Sequence, residues 1–131
     1  MNNKRDVQRQ PITVKRDCIL GIITFKQFEW KDHVAHIVDF SSKGVGIESN
    51  AHLEQGFVWF KDRVGGHKSG ILVWSKQFGA KYRAGIKFLP LSRNSEQSVQ
   101  ERLSRSKPHT PIRDPEKIIA TLMESIERKE N

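Results

Sequence analysis

Two short groups of residues in this chain have the types and spacing needed to bind a nucleotide that carries phosphate. The first group is Arg5 and Arg9, which form the pattern R-x-x-x-R near the N-terminus. The guanidinium group is a planar fork of N–H donors that matches phosphate oxygens and the O6 and N7 acceptors of guanine. It also stacks on the face of a base. Two arginines at this spacing can therefore reach different parts of one ligand.

The second group is Asp39, Ser41 and Gly44, in the pattern D-x-S-x-x-G. An aspartate accepts hydrogen bonds from the N1 and N2 donors of guanine, which adenine does not present in that arrangement, and the serine adds a short hydroxyl. Gly44 allows either a positive φ or a close backbone approach. Each group has an ordinary alternative, a solvated basic tail for the arginines and a self-capped turn for Asp39 and Ser41. Their joint presence favours a ligand site.

The elements that must position these residues are β-strands. Residues 1–11 are polar and basic and are predicted to form an arm. Residues 12–91 alternate β-branched and aromatic segments with glycine-rich turns, and no helix-length periodic segment interrupts them, which predicts an all-β antiparallel barrel or sandwich. The predicted strands lie at 12–14, 19–25, 33–38, 45–48, 57–60, 69–74 and 82–88.

Residues 92–131 are predicted to be a helical extension. A first helix is expected over 95–104, and Pro108 and Pro111 then interrupt any helix. A second helix, 115–129, is expected to start at Pro115 with Asp114 as its N-cap. Its apolar face has two alternative partners, the chain's own barrel or another protein, including a second copy of this chain. The face comprises Ile118, Ile119, Leu122, Met123 and Ile126.

Composition narrows the class of partner. The formal net charge of +8 favours an anionic partner, and the single cysteine, Cys18, fits a reducing cytoplasm. No apolar run is long enough to span a membrane, and the N-terminus leads into no signal-peptide core. A cytoplasmic location is therefore expected.

In this order and spacing, the two motifs, with VGIE at 45–48 and YRAGIKF at 82–88, resemble the PilZ domain family. The resemblance covers about residues 4–90. It implies a six-stranded antiparallel β-barrel, with a basic N-terminal arm and one or two C-terminal helices in this chain, that binds cyclic di-GMP on its outer surface. It also implies a receptor that passes the signal to a partner protein in bacterial second-messenger signalling.

The resemblance implies roles for individual residues. Arg5 and Arg9 would hold phosphate and guanine, while Asp39, Ser41 and Gly44 would contact guanine and hold the turn. Further candidate contacts are Lys4, Ser42 and Arg83. A residue at the position of Lys4 influences whether one ligand or a stacked pair binds in that family, and lysine leaves the stoichiometry open.

Other chemistries have weaker support. The histidines are scattered without a cysteine or carboxylate cluster, so no metal site is expected, and no nucleophile motif or phosphate loop indicates an enzyme or a resident cofactor. Two alternatives to a cyclic di-GMP receptor remain: a PilZ-like adaptor acting by protein contacts only, and a small basic barrel that binds single-stranded nucleic acid. The two motifs count against the nucleic-acid interpretation. Trp30, Trp59 and Trp74 are expected in the core or rim, with a base-stacking platform as the alternative.

Overall fold

The computed structural model describes residues 10–27, 29–104 and 115–130. Its elements comprise six strands followed by two helices, and each boundary lies within a few residues of a segment predicted from sequence. The strands are β1 (Gln10–Thr24), β2 (Trp30–Phe40), β3 (Gly44–Ser49), β4 (Gly56–Val64), β5 (His67–Phe78) and β6 (Lys81–Phe88). The helices are α1 (Arg93–Ser104) and α2 (Pro115–Glu130).

The six strands close into one antiparallel barrel in the order β1-β2-β3-β6-β5-β4. The predicted six-stranded antiparallel barrel is therefore confirmed. The two N-terminal strand segments expected at 12–14 and 19–25 belong to a single strand, β1, whose pairing with β2 shifts register between Pro11 and Arg16. That strand begins at Gln10, so the last two residues of the expected arm already lie in the sheet.

The barrel interior is filled by alternate residues of the strands, as the period of two requires. Phe60, Ile47 and Leu72 are completely buried there, and Leu53 from the β3–β4 loop is equally inaccessible. The β4–β5 turn consists of Gly65 and Gly66, whose φ values of 59° and 84° are the left-handed pair that a two-residue hairpin favours.

A second apolar cluster lies on the outside of the barrel, where the two helices cover it. Its buried members are Ile23, Phe57, Trp59, Leu89, Val99, Leu103, Ile118 and Leu122. The apolar face of α2 therefore packs on its own barrel and on α1, with Met123 left 42% exposed. The predicted linker prolines Pro108 and Pro111, and the N-cap Asp114, lie outside the described residues.

Helix α1 is fixed to the barrel by polar contacts as well. Ser92 caps its N-terminus, because the Ser92 hydroxyl accepts a hydrogen bond from the Ser95 N–H at 3.1 Å. Arg63 of β4 donates to both carboxylate oxygens of Glu96, and the Trp59 indole donates to Gln100 at 3.0 Å. Within the described residues, neither helix is long and apolar enough to cross a membrane.

Candidate functional site

The D-x-S-x-x-G motif forms the turn between β2 and β3. The Ser41 N–H donates to the Gly44 carbonyl oxygen at 2.9 Å, and the Ser41 hydroxyl donates to the same oxygen at 3.4 Å. That hydroxyl also accepts from the Lys43 N–H at 3.2 Å. Ser41 is buried and holds the turn closed, whereas Ser42 and Lys43 are exposed at its tip.

Gly44 is required by the neighbouring strand rather than by an unusual φ. A Cβ at Gly44 would overlap the backbone carbonyl oxygen of Ile86 on β6. The Phe88 N–H donates to the Lys43 carbonyl at 2.9 Å, so the turn is also joined to β6 by its backbone. Of the two roles that the sequence allows for this glycine, the structure displays the close backbone approach.

Four residues lie side by side across four adjacent strands on the outer face of the barrel. Asp39 of β2 pairs with Gly46 of β3, Gly46 pairs with Gly85 of β6, and Gly85 pairs with Trp74 of β5. We call these four residues the platform row. The two glycines form its floor, which curves with the barrel, and the row has a carboxylate at one end and an indole at the other.

The two end residues of the platform row lean inward over its floor. A Cβ at Gly46 would lie 2.7 Å from the Asp39 Oδ1 atom, and a Cβ at Gly85 would overlap the Trp74 indole. Trp74 nevertheless remains 45% exposed. A depression of about 290 Å³ lies beside the row, lined in part by Ser41, Gly44 and Trp74. The arrangement can stack a planar ring on Trp74 while Asp39 accepts hydrogen bonds.

Cationic side chains surround the platform row. Lys43 and Lys87 line the depression. Arg83 lies two residues before Gly85 on β6; its Nε donates to Glu48 at 3.3 Å, and its guanidinium lies 4.9 Å from the centre of the Phe78 ring. Glu48 and Phe78 thus hold Arg83 beside the row, where an anionic group of a ligand would meet positive charge.

The N-terminal arm enters the barrel beside Asp39. Gln10 pairs with Phe40, and Pro11 pairs with Asp39. Lys4, Arg5 and Arg9 lie outside the described residues. In the sequence, Arg9 directly precedes Gln10, the first residue of β1.

Trp74 is the site residue that the sequence motifs do not include. A second indole is built in the same way: Trp30 of β2 lies over Gly21 of β1, where a Cβ would overlap it. That indole packs against the cluster under the helices, whereas Trp74 keeps an open face. The signal in the sequence is a glycine inside a strand, which marks a close approach by a neighbouring group.

The remaining reactive residues of the described regions form no second centre. Cys18 is buried in the barrel core, and desolvation raises the pKa of its thiol to about 11, partly offset by Arg16. No group of three or more histidine, cysteine, aspartate or glutamate side chains comes together among the described residues in a way that could hold a metal ion.

Comparison with known proteins adds no relative: no protein-family model matches the chain, and no curated protein is significantly similar to it.

Proposed function

We propose that this protein is a cyclic di-GMP receptor of the PilZ type. The observation that carries the proposal is the position of the platform row beside the entry point of the arginine arm. Asp39 belongs both to this row and to the strand pair that receives the arm, through its pairing with Pro11. The strand that begins directly after the arginine motif in the sequence therefore pairs with the strand that carries Asp39, which supports a shared site for the two motifs.

The chemistry of the platform row suits a guanine base. Trp74 offers an exposed indole for stacking, and base–aromatic stacking contributes about 1–3 kcal/mol per base. The Asp39 carboxylate can accept from the N1 and N2 donors of guanine, and hydrogen bonds to a charged group contribute about 1.5–3 kcal/mol. Strands β2 and β5 lie on opposite sides of the six-stranded barrel, so Asp39 and Trp74 approach one another because their side chains lean over the paired glycines Gly46 and Gly85.

Phosphate recognition falls to the cations around this floor. Arg5 and Arg9 supply bidentate forks from the arm, and Lys43 and Lys87 border the depression. Contacts from the arm to the ligand would fix the arm against the barrel and so change the surface that a partner protein meets. This ordering of the arm is one step by which ligand binding would be passed on.

Calorimetric titration with cyclic di-GMP tests the proposal, with GTP and cyclic di-AMP as controls. We expect selective binding, and the measured stoichiometry distinguishes one ligand from a stacked pair. Asp39→Ala should weaken binding by about tenfold to a hundredfold. Asp32→Ala is the matched control, because Asp32 is an exposed aspartate on the same strand.

The arm is tested in the same titration. The double variant Arg5→Ala/Arg9→Ala should abolish measurable binding, whereas Arg16→Ala, which removes an exposed arginine of β1, should leave it unchanged. Normal binding by the double variant would show that the arm is not part of the site. Absence of heat and of thermal stabilisation with the native chain would refute the receptor itself.

A second candidate function, binding of single-stranded nucleic acid, is favoured by the net charge of +8 and by the exposed rings of Phe25, Trp74 and Phe78. It predicts an affinity that rises with oligonucleotide length and falls steeply with salt. Cyclic di-GMP binding should respond less to salt, because a dinucleotide carries only two phosphates. Titration with oligonucleotides of increasing length at two salt concentrations separates the two functions.

A further inference from the structure

Strand β5 is longer than the strand beside it, and half of it has a partner on one side only. Its pairing with β4 starts at Gly56, which lies opposite Leu72, whereas its pairing with β6 continues to Phe78. Within the described residues, Val73–Phe78 is therefore a free strand edge. In an antiparallel strand every second residue directs its N–H and C=O away from the paired neighbour, so this edge presents unpaired backbone groups.

A groove runs along this edge. It has a volume of about 700 Å³ and lies between the start of the free edge, the β3–β4 loop and Phe25 at the end of β1. The side-chain amide of Gln55 crosses it and donates to the Val73 carbonyl oxygen at 3.0 Å. The amide occupies the position that a backbone N–H of an added strand would take, which shows that this carbonyl points into the groove.

The groove also contains a polar atom that the fold leaves unsatisfied. The Ser75 hydroxyl is buried and has no hydrogen-bond partner among the described residues. Burying a hydroxyl without a partner is unfavourable, and this oxygen is covered by the wall of the groove. Apolar surface surrounds it, since Phe25, Val73 and Trp74 are each exposed by 42–45%.

The charge of the edge indicates the chemistry of its occupant. Lys26 lines the groove and Lys76 lies on the free edge; both are exposed, and neither has an acidic partner in the part of the chain that the structure describes. The acidic residue at the groove, Glu54, already pairs with Lys31 at 3.5 Å. An acidic segment therefore fits this edge better than a neutral or basic one.

We propose that the free edge of β5, Val73–Phe78, binds an extended acidic segment of a partner protein as an additional strand. A row of edge N–H and C=O groups matches the regular spacing of another extended backbone, which determines the conformation of the occupant, and the Gln55 amide would release the Val73 carbonyl to it. At about 3.4 Å per residue, the six residues of the edge accommodate a segment of roughly six residues.

This inference deepens the proposed function, because it names a surface that passes the signal to a partner. It rests on that function only for the link between ligand binding and partner binding. Trp74 lines both the groove and the depression beside the platform row. A ligand stacked on one face of the indole would therefore alter the wall that the added strand contacts.

The test uses a fluorescent seven-residue peptide that alternates valine with threonine and has a glutamate at each end. Its analogue, methylated at every backbone nitrogen, retains the side chains but has no backbone N–H to donate and cannot pair as a strand. Fluorescence anisotropy without any dinucleotide should show binding of the first peptide and at least tenfold weaker binding of the methylated analogue. Hydrogen exchange should show that the first peptide protects amides in Val73–Phe78. Because cyclic di-GMP is absent from this assay, a peptide that does not bind leaves the receptor proposal intact. Equally, a protein that does not bind cyclic di-GMP can still bind the peptide.

Two variants with matched controls locate the site. Val73→Glu should weaken peptide binding at least tenfold, whereas Met123→Glu, at an apolar residue of similar exposure on α2, should change it less than twofold. Lys76→Glu should also weaken binding, and Lys117→Glu, an exposed lysine of α2, should not. Circular dichroism confirms that each variant is folded.

Three results would overturn the proposal. The first is no binding of the peptide at millimolar concentration. The second is equal binding of the peptide and its methylated analogue, which would mean attraction by charge alone. The third is a dimer of the protein without peptide that Val73→Glu dissociates, since a second copy of the chain would then occupy the edge.

Discussion

The contact between Trp74 and Gly85 predicts that the effect of Gly85→Ala on stability changes sign when the indole of Trp74 is removed. In the native protein, Gly85→Ala places a methyl group against the indole, 2.6 Å from its Cε2 atom. The indole must then move off β6. Trp74 is 45% exposed, so roughly 140 Å² of its surface is buried, which corresponds to about 3.5 kcal/mol. Overpacking of this kind costs about 1–3 kcal/mol, and we expect that loss of stability.

In a Trp74→Ala background the obstacle is gone. Alanine is favoured over glycine inside a strand by roughly 0.5–1 kcal/mol, because glycine loses more conformational freedom on folding. We therefore expect Gly85→Ala to be neutral or slightly stabilising in that background. The coupling between the two substitutions should be about 1–3 kcal/mol, the range found for residues in direct contact.

Urea unfolding of the four proteins of this cycle, followed by far-ultraviolet circular dichroism, measures the coupling. Gly44→Ala is the control, because its obstacle is the backbone oxygen of Ile86, which no side-chain substitution removes. It should destabilise the native protein and the Trp74→Ala variant equally. An equal cost of Gly85→Ala in both backgrounds would show that the indole does not rest on Gly85, and the platform row would lose its aromatic end.

Three further predictions concern the rest of the fold. Ile118→Ala should lower the free energy of unfolding by about 2–5 kcal/mol, because Ile118 is fully buried on the inner face of α2. The exposed Met123 of the same helix should tolerate alanine within about 0.5 kcal/mol. Equal effects of the two substitutions in urea unfolding would argue against docking of this helix. The hydrogen bonds from Arg63 lower the pKa of Glu96, so this stabilisation is present above the ordinary pKa of glutamate, about 4.5, and is lost as the pH falls through the lower folded value. Between about pH 5 and pH 3, the native protein should therefore lose more stability than Arg63→Ala does, and parallel pH profiles would contradict the pairing. The Cys18 thiol, buried and with its pKa raised to about 11, should resist a thiol reagent at about pH 8 until the protein unfolds, and rapid labelling of the native protein would show that the core opens readily.

The barrel could be predicted from the sequence because its signals are local. Alternating apolar residues mark each strand, and Gly65-Gly66 marks a hairpin turn, so the structure differs from expectation in the lengths of the strands and in joining the first two segments into one strand. The sequence could not show that β1 is continuous from Gln10 to Thr24. Its middle residues, Lys15, Arg16 and Asp17, are polar, and the strand pairing with β2 resumes only at Arg16 and Asp17.

The candidate site could be predicted only in part. Asp39, Ser41 and Gly44 are found from their spacing along the chain, and the turn that they form is local. Trp74 reaches the same patch through two strand pairings, from β3 to β6 and from β6 to β5, and its place depends on the register shift in β5 between Leu72 and Trp74. A shift of one residue moves a side chain to the other face of a sheet, so no local pattern could have assigned it.

The docking of α2 was an open alternative because amphipathic periodicity identifies an apolar face without naming its partner. The structure supplies that partner, since Trp59, Phe57 and Leu89 form an apolar strip on the outside of the barrel. Outward-facing apolar residues on strands are the signal that could have identified the strip. The apolar residues of the strands belong to two clusters separated by the sheet, one inside the barrel and one under the helices.

The unequal burial of the three tryptophans gives the protein an intrinsic optical reporter. Trp59 is 8% exposed and Trp30 is covered in part by the helix cluster, whereas Trp74 is 45% exposed. Emission at long wavelength and quenching by acrylamide should therefore come mainly from the indole at the platform row. A ring stacked on that indole would quench it directly, and an added strand along β5 would shield it from acrylamide. One unlabelled sample can thus distinguish the two binding events by the way in which the same fluorophore changes.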